Sequence, residues 1–371
     1  MGNFLAKLFL QFSSNAQNNN MMVQVSDSDS EFDSDSNSDI QHEHTENCEC
    51  GTPYYSNNEE EEAVESDDDE SDEDDDDEAV EEKDEEKDEE KDEEKEEKKD
   101  EEKEEEKEVI FFNKKNTNKK ALLIGINYDK DTNKNDDLNG CVNDLNNIKD
   151  FLMRKCNFKD DQIVTLYNDK ATKNNIEMDL LRLVDYTHHN PNSEVWLSYS
   201  GHGSTMPSYY ESDNKSEVIC PSDYMINGII TDLWLQNNFV KMLERTANTF
   251  VLMDCCNSGS NLNLPYRGMN QDVCSNDNSY SFNDINKLCN IVKISGCEDD
   301  QTSADYFDRK DNEFQGALTN SFLLISNNVL DKSVNTLYNN TLLNLKSRGF
   351  TQRPVLSFSH PILMYNSKLY N

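Results

Sequence analysis

One histidine and one cysteine, each just past the abrupt end of an apolar run, are the side chains here best placed for covalent chemistry. Val195-Trp196-Leu197 leads into Ser198-Tyr199-Ser200-Gly201-His202-Gly203-Ser204. Likewise, Thr249-Phe250-Val251-Leu252-Met253 leads into Asp254-Cys255-Cys256-Asn257-Ser258-Gly259. Both runs read as buried strands. A strand that stops in Gly and Ser presents its next side chains at the carboxyl edge of a parallel sheet, where open α/β folds place their ligands. The thiolate is the reactive form of cysteine, and an imidazole that takes its proton makes it a strong nucleophile. His202 lies 54 residues before Cys256, so the fold must bring the two together. The chemistry this pair suggests is that of a cysteine peptidase.

The elements that must position the pair alternate along the chain. Ala121 to Ile126 is a short apolar run, hence a strand, and Leu138 to Lys155 repeats its apolar residues with helical period. A strand is expected at Gln162 to Tyr167, a helix at Asn174 to His188 and a third strand at Val195 to Tyr199. Asp232 to Arg245 reads as a helix with Thr231 as its N-cap. Further strands are expected at Thr249 to Met253, Ile291 to Ser295 and Pro354 to Ser359, with one or two helices within Thr319 to Leu345. Strands separated by helices imply βαβ units: an α/β fold with a mostly parallel sheet flanked by helices on both faces. Ser258 to Leu288 breaks the pattern as a long polar stretch, which in a compact domain is usually functional or disordered.

Composition divides the chain. Its formal net charge is −41 over 371 residues, and roughly two thirds of that falls between Glu59 and Glu108, a run of Glu, Asp and Lys. Ser13 to Asn58 is rich in Ser, Asn and Asp. Such segments bury too little surface to offset the entropy of ordering. Residues 1–115 are therefore expected to be a disordered acidic extension, and 116–371 a single folded domain with its polar loop at 258–288. Lys83, Lys87, Lys91 and Lys95 allow i,i+4 pairing and transient helix. The acidic run is either an autoinhibitory or targeting tail or a solvated solubility tail, and it repels the phosphates of nucleic acid. His42, His44, Cys48 and Cys50 have metal-ligand chemistry without zinc-finger spacing, so no metal is expected there. Gly2, with Leu5, Leu8 and Phe9 after it, allows a weak membrane attachment, although Ala6 stands where Ser or Thr favours myristoylation. Ten scattered cysteines do not form a secreted disulfide framework, so a cytoplasmic location is expected.

Six segments, in order, carry a family resemblance: Ala121 to Tyr128; Leu138-Asn139-Gly140-Cys141-Val142-Asn143-Asp144; Ser200 to Gly203; Glu217 to Asp223; Asp254 to Gly259; and Ser295 to Asp305. Together they resemble the metacaspases, of the type with an N-terminal extension, over about Lys119 to Phe358. The resemblance implies a caspase-like fold with His202 as general base. Of the two adjacent thiols it makes Cys256 the nucleophile, with Cys255 as a partly buried neighbour. Backbone N–H groups around Cys256 and Gly203 would form the oxyanion hole.

Cleavage after Arg or Lys is what the family implies, with Asp144, Ser200 and Asp254 matching its primary pocket. Two carboxylates there suit a guanidinium or ammonium. Protein or peptide substrates, a monomer and no required cofactor are expected. Calcium, a frequent activator in the family, is doubtful: Asp232 is retained, but Ser216 and Leu233 stand where carboxylates are usual, and calcium needs six to eight oxygens. Asn257 replaces a histidine usual beside the nucleophile. Arg267 and Lys287 are the basic residues of the polar stretch, and cleavage there, at Arg267 above all, is weighed against an active single chain. The competing reading is a catalytically silent, metacaspase-like scaffold acting through its acidic tail.

Overall fold

A computed structural model describes residues 108–129, 137–208, 214–269, 272–275, 280–309 and 312–371. The acidic run up to residue 107, the 42–50 cluster and the apolar N-terminus lie outside the described residues. The first strands are β1 (Val109–Phe112), β2 (Lys119–Gly125), β3 (Ile163–Tyr167) and β4 (Glu194–Ser200). A three-stranded ribbon follows: β5 (Gly203–Pro207), β6 (Lys215–Ile219) and β7 (Ile230–Thr231). Next come β8 (Asn248–Asp254), β9 (Tyr266–Met269), β10 (Asp272–Ser275) and β11 (Asn290–Ser295). The last are β12 (Asp305–Asp308), β13 (Glu313–Gly316), β14 (Val355–Phe358) and β15 (Ser367–Tyr370). Five helices frame the sheet: α1 (Cys141–Lys155), α2 (Lys173–His189), α3 (Asp232–Asn238), α4 (Ala317–Asn328) and α5 (Val334–Ser347).

Eight strands form the main sheet in the order β10-β9-β14-β11-β8-β4-β2-β3. The neighbours from β11 to β3 run parallel, and β14, β9 and β10 extend the sheet antiparallel. The central strands are continuous apolar runs because both faces are covered. The two-residue period of each strand sorts its side chains between those faces. Leu122, Ile124, Leu197, Tyr199, Val251 and Met253 join α2 and α3 in one core. Leu123, Trp196, Phe250 and Leu252 join α1, α4 and α5 in the other. There Trp196 stacks on Phe250 at 4.9 Å and Phe250 on Phe322 at 5.8 Å. Helices on both faces of a mostly parallel sheet match the expected fold class.

Thr231 caps α3 as expected, accepting from the Trp234 N–H at 3.1 Å. The helix is shorter than its apolar pattern suggests. It stops at Asn238: the backbone departs from helical geometry at Phe239 (φ −119°, ψ −67°), and the chain goes on as a short 3-10 turn over Val240–Met242.

The 258–288 stretch corrects a sequence expectation. Leu262 and Leu264 are fully buried, β9 and β10 form a hairpin joined to β14, and a short helix spans Phe282–Ile285. Arg267, expected on an exposed loop, lies within β9 opposite Ser357, and its guanidinium sits 2.7 Å from the Glu298 carboxylate. β9 pairs with β10, next in sequence, on one side and with β14, remote in sequence, on the other, and its short polar run carries no strand pattern of its own. Lys287 is exposed.

Candidate active site

β4 and β8 pair in parallel with Ser200 opposite Asp254, so both chains leave the sheet at the same level. His202 and Cys256 each follow two residues later. The Gly201 N–H reaches the Asp254 carbonyl at 3.4 Å, prolonging the contact past the strands. At Gly203 a Cβ would stand 2.1 Å from the Cys256 carbonyl oxygen, so only glycine lets the histidine segment close against the cysteine segment. Both His202 and Cys256 are half-buried. Burial pushes the Cys256 thiol up, the Ser303 carbonyl lying 3.9 Å from Sγ. At neutral pH the group is a thiol, so nucleophilic use requires a base to take its proton.

Strand alternation decides which way the neighbouring side chains turn. Asp254 continues the Phe250–Leu252 face toward α1 and α4, whereas Cys255 joins the opposite core and is buried. Burial, followed by the charges of Cys297 and Cys256, pushes the Cys255 thiol well above its usual range.

Ser200, Asp144 and Asp254 meet beneath the sheet edge. The Ser200 hydroxyl donates to Asp144 Oδ2 at 2.8 Å, and the Gly316 N–H reaches the same carboxylate at 2.9 Å. Asp254 accepts from the Ser303 hydroxyl at 2.5 Å, the Thr319 N–H at 2.8 Å and the Thr319 hydroxyl at 2.9 Å. A Cβ at Gly316 would lie 2.3 Å from Asp254 Oδ2 and 2.5 Å from Asp144 Oδ2, so the two carboxylates converge on one point that only glycine leaves open. Both are buried, and the hydrogen bonds named come from hydroxyls and N–H groups rather than from Lys or Arg. Burial, then the Asp254 charge, holds Asp144 well above the ordinary carboxylate range, and burial also raises Asp254. A cation entering here would relieve that repulsion.

Sequence reasoning assigned no role to Ser303, Gly316, Thr319 or Tyr128. Ser303 falls inside the Ser295 to Asp305 segment, which was available as a signal. Gly316 and Thr319 open α4 and reach the site only through the fold. Tyr128 stacks on His202 with ring centroids 4.5 Å apart.

The turn after Cys256 is held from below. Lys293 on β11 is fully buried and donates to the carbonyls of Ser258 at 3.0 Å and Gly259 at 2.8 Å, and to Asn261 Oδ1 at 3.1 Å. Asn257 donates its side-chain amide to the Asp299 carbonyl, and its N–H goes to the Gln301 carbonyl at 3.1 Å. The position where the family usually has histidine is therefore an anchor for the turn. The Ser260 hydroxyl donates to Glu217 at 2.7 Å, and its N–H to Asp299 at 2.8 Å.

Burial, then the Asp299 charge, pushes Glu217 up to about 8 from 4.5. Between those values the folded protein binds the proton that the unfolded chain has released, so stability falls as pH rises from about 5 to 8. The slope is at most about 1.4 kcal/mol per pH unit. Glu217→Gln is expected to flatten this loss, read as urea midpoints at pH 5 and pH 8. An identical pH dependence in both proteins would remove Glu217 as its source. Lys293, pulled down to about 8 from 10.5 by burial, acts in the opposite direction and only above pH 8.

Asp232, the retained calcium candidate, is fully buried at the start of α3. Its oxygens accept from the N–H groups of Glu217 at 3.2 Å and Leu233 at 2.6 Å. Among the described residues no three His, Cys, Asp or Glu side chains are grouped to hold a metal ion. No described helix is long and apolar enough to cross a membrane.

Residues 119–265 match the family described as metacaspase, peptidase C14 domain. Metacaspase-1 of Lodderomyces elongisporus is 33% identical over 305 residues, covering 67% of this chain and 66% of the relative. Metacaspase-1 of Candida albicans is 32% identical over 305 residues, 66% of this chain and 65% of the relative. Metacaspase-1B of Neosartorya fischeri is 31% identical over 294 residues, 66% and 70%. The chain thus spans about two thirds of the length of these relatives. The solved structure of protein GSU0716 from Geobacter sulfurreducens aligns with 68% of this chain and 99% of its own, at 21% identity and a TM-score of 0.47.

Proposed function

Because the chain belongs to the metacaspase family of C14 peptidases, we propose that it is a cysteine endopeptidase that cleaves after Arg or Lys. The observation that carries this reading is the pairing of Ser200 with Asp254. One register sets His202 and Cys256 at the sheet edge and turns the pocket residues beneath them.

In this mechanism His202 takes the Cys256 proton as Sγ attacks the scissile carbonyl carbon. The oxyanion that forms is held by backbone N–H groups around Cys256 and Gly203. Collapse breaks the C–N bond, His202 gives its proton to the leaving amine, and a thioester joins the acyl group to Cys256. His202 then takes a proton from water, whose oxygen attacks the thioester. The C–S bond breaks, the acid leaves and Cys256 recovers its proton. Asp144 and Asp254 receive the guanidinium or ammonium of the residue before the cut, replacing mutual repulsion with charge-assisted hydrogen bonds. Calcium has no step in this scheme.

The test is a panel of fluorogenic peptides differing only in the residue before the cut, assayed with calcium and with a chelator. Turnover of Arg and Lys peptides and none of Asp peptides is the expected result. Preference for Asp would overturn the pocket assignment. Absence of turnover across the panel would favour a silent scaffold.

A further inference from the structure

Beyond the pair itself, three independent observations converge on Tyr128. It sits in the loop after β2, at the end of the Ala121 to Tyr128 segment, and is 5% exposed. Its backbone has φ 59°, the left-handed region, where a bulky aromatic residue is a genuine outlier held only by its surroundings. Its ring lies against the His202 imidazole, with centroids 4.5 Å apart and planes inclined by 33°. Its hydroxyl accepts the His202 backbone N–H at 3.0 Å and donates to the Cys220 carbonyl at 2.5 Å.

A second tyrosine completes the grip. Tyr199, at the end of β4, donates its hydroxyl to the His202 carbonyl at 2.8 Å. The Cys220 N–H also reaches that carbonyl, at 3.1 Å. Both polar groups of the His202 backbone are thus fixed by buried phenols, and the Tyr128 ring also contacts the imidazole. Burial holds both phenols well above their usual range, so at neutral pH they are protonated donors. A histidine flanked by Gly201 and Gly203 has little side-chain packing from its own neighbours in sequence. The orientation of its ring must come from elsewhere.

We infer that Tyr128 is a positioning residue for His202: its ring sets the imidazole plane and its hydroxyl fixes the backbone from which the imidazole extends. This rests on the reading of His202 as the base. Proton transfer from Cys256 requires the ring nitrogen to face Sγ, and a misplacement on the order of 1 Å costs about 100-fold in rate. The strained backbone at Tyr128 is the local cost of holding its ring where the imidazole needs it.

Two variants separate the ring from the hydroxyl. Tyr128→Phe keeps the ring face and loses the hydroxyl's contacts to the His202 N–H, the Cys220 carbonyl and the Tyr199 hydroxyl; kcat on Arg peptides is expected to fall about tenfold with KM within twofold. Tyr128→Leu also loses the face, and kcat is expected to fall about 100-fold, again with little change in KM. Rates are referred to folded protein, measured by circular dichroism. A second readout needs no turnover: in spectra of histidine-labelled protein, ring current from Tyr128 is expected to shift the His202 side-chain protons upfield. The shift is expected to persist in Tyr128→Phe and disappear in Tyr128→Leu. Wild-type kcat in Tyr128→Phe, with a loss in Tyr128→Leu only in proportion to unfolded protein, would overturn the inference while leaving the dyad intact. So would a His202 resonance indifferent to Tyr128→Leu. If the wild type turns over peptides and His202→Ala does so equally well, the dyad reading itself fails.

Discussion

Cys256→Ala and His202→Ala are each expected to abolish peptide hydrolysis, lowering kcat by about 10⁴-fold or more, while Cys255→Ala retains most of the activity. In the proposed mechanism the two residues act as a unit, so losing either leaves little for the other to do. The expected contrast between adjacent thiols follows from strand alternation. Cys256 is half-buried just past the end of β8, with Sγ 3.9 Å from the Ser303 carbonyl. Cys255 points into the opposite core at 2% exposure, and burial keeps its thiol protonated. No imidazole can usefully deprotonate a group packed there. Steady-state rates on an Arg peptide, with each variant checked for folding, decide the matter. An inactive, folded Cys255→Ala beside an active Cys256→Ala would reverse the assignment.

Asp144→Asn is expected to lower kcat/KM for Arg peptides by about 100-fold or more while leaving the thermal midpoint unchanged or raised. Removing one side of a buried charge pair typically costs 2–5 kcal/mol of binding; each 1.4 kcal/mol corresponds to about tenfold. The substitution keeps an oxygen to accept from Ser200 or Gly316, so the fold loses little. In the free protein Asp144 faces Asp254 with hydroxyls and N–H groups as its partners, and burial and that charge push its carboxyl well up. Asparagine fixes the neutral form that this environment favours, so no second buried negative charge has to be held beside Asp254. Asp254 is a less clean target, because it also holds the N–H and hydroxyl of Thr319 at the start of α4. A fall in both stability and activity in Asp144→Asn would mark the residue as structural. Unchanged selectivity between Arg and Asp peptides would remove it from the pocket.

The central strands were legible because they are buried on both faces, and a run such as Phe250 to Met253 has no other place in a folded chain. The strand ends were legible for the same reason: Gly201 and Asp254 interrupt the runs, and the candidate residues follow at once. The edge strand β3 was legible at Gln162 to Tyr167, but several other peripheral strands were not. β9, β10, β12 and β13 are four residues each, mixed in polarity, and defined by pairing rather than by pattern. β1 pairs with β15, so Val109 meets Ser367 from the far end of the chain. Arg267 shows the consequence: a basic residue in polar sequence read as loop, yet it lies in a strand between Cys274 and Ser357. Tyr128 was present in a recognised segment, but its role depends on a backbone angle and a ring contact that spacing does not encode.

The shared register of β4 and β8 also bears on how such a protein changes over time. Neighbouring strands lie about 4.8 Å apart, a spacing fixed by main-chain hydrogen bonds that every residue type makes alike. The level at which the segments bearing His202 and Cys256 leave the sheet is therefore inherited from the backbone lattice, whereas the core phenols Tyr128 and Tyr199 hold the histidine itself. On the proposed reading, recognition is built differently, from α1 and from the loops and helix that carry Ser303 and Thr319. Substitutions in those outer layers can retune what the protein accepts without disturbing the geometry of attack. A lineage with this plan can diversify its targets one side chain at a time while its chemistry stays constant.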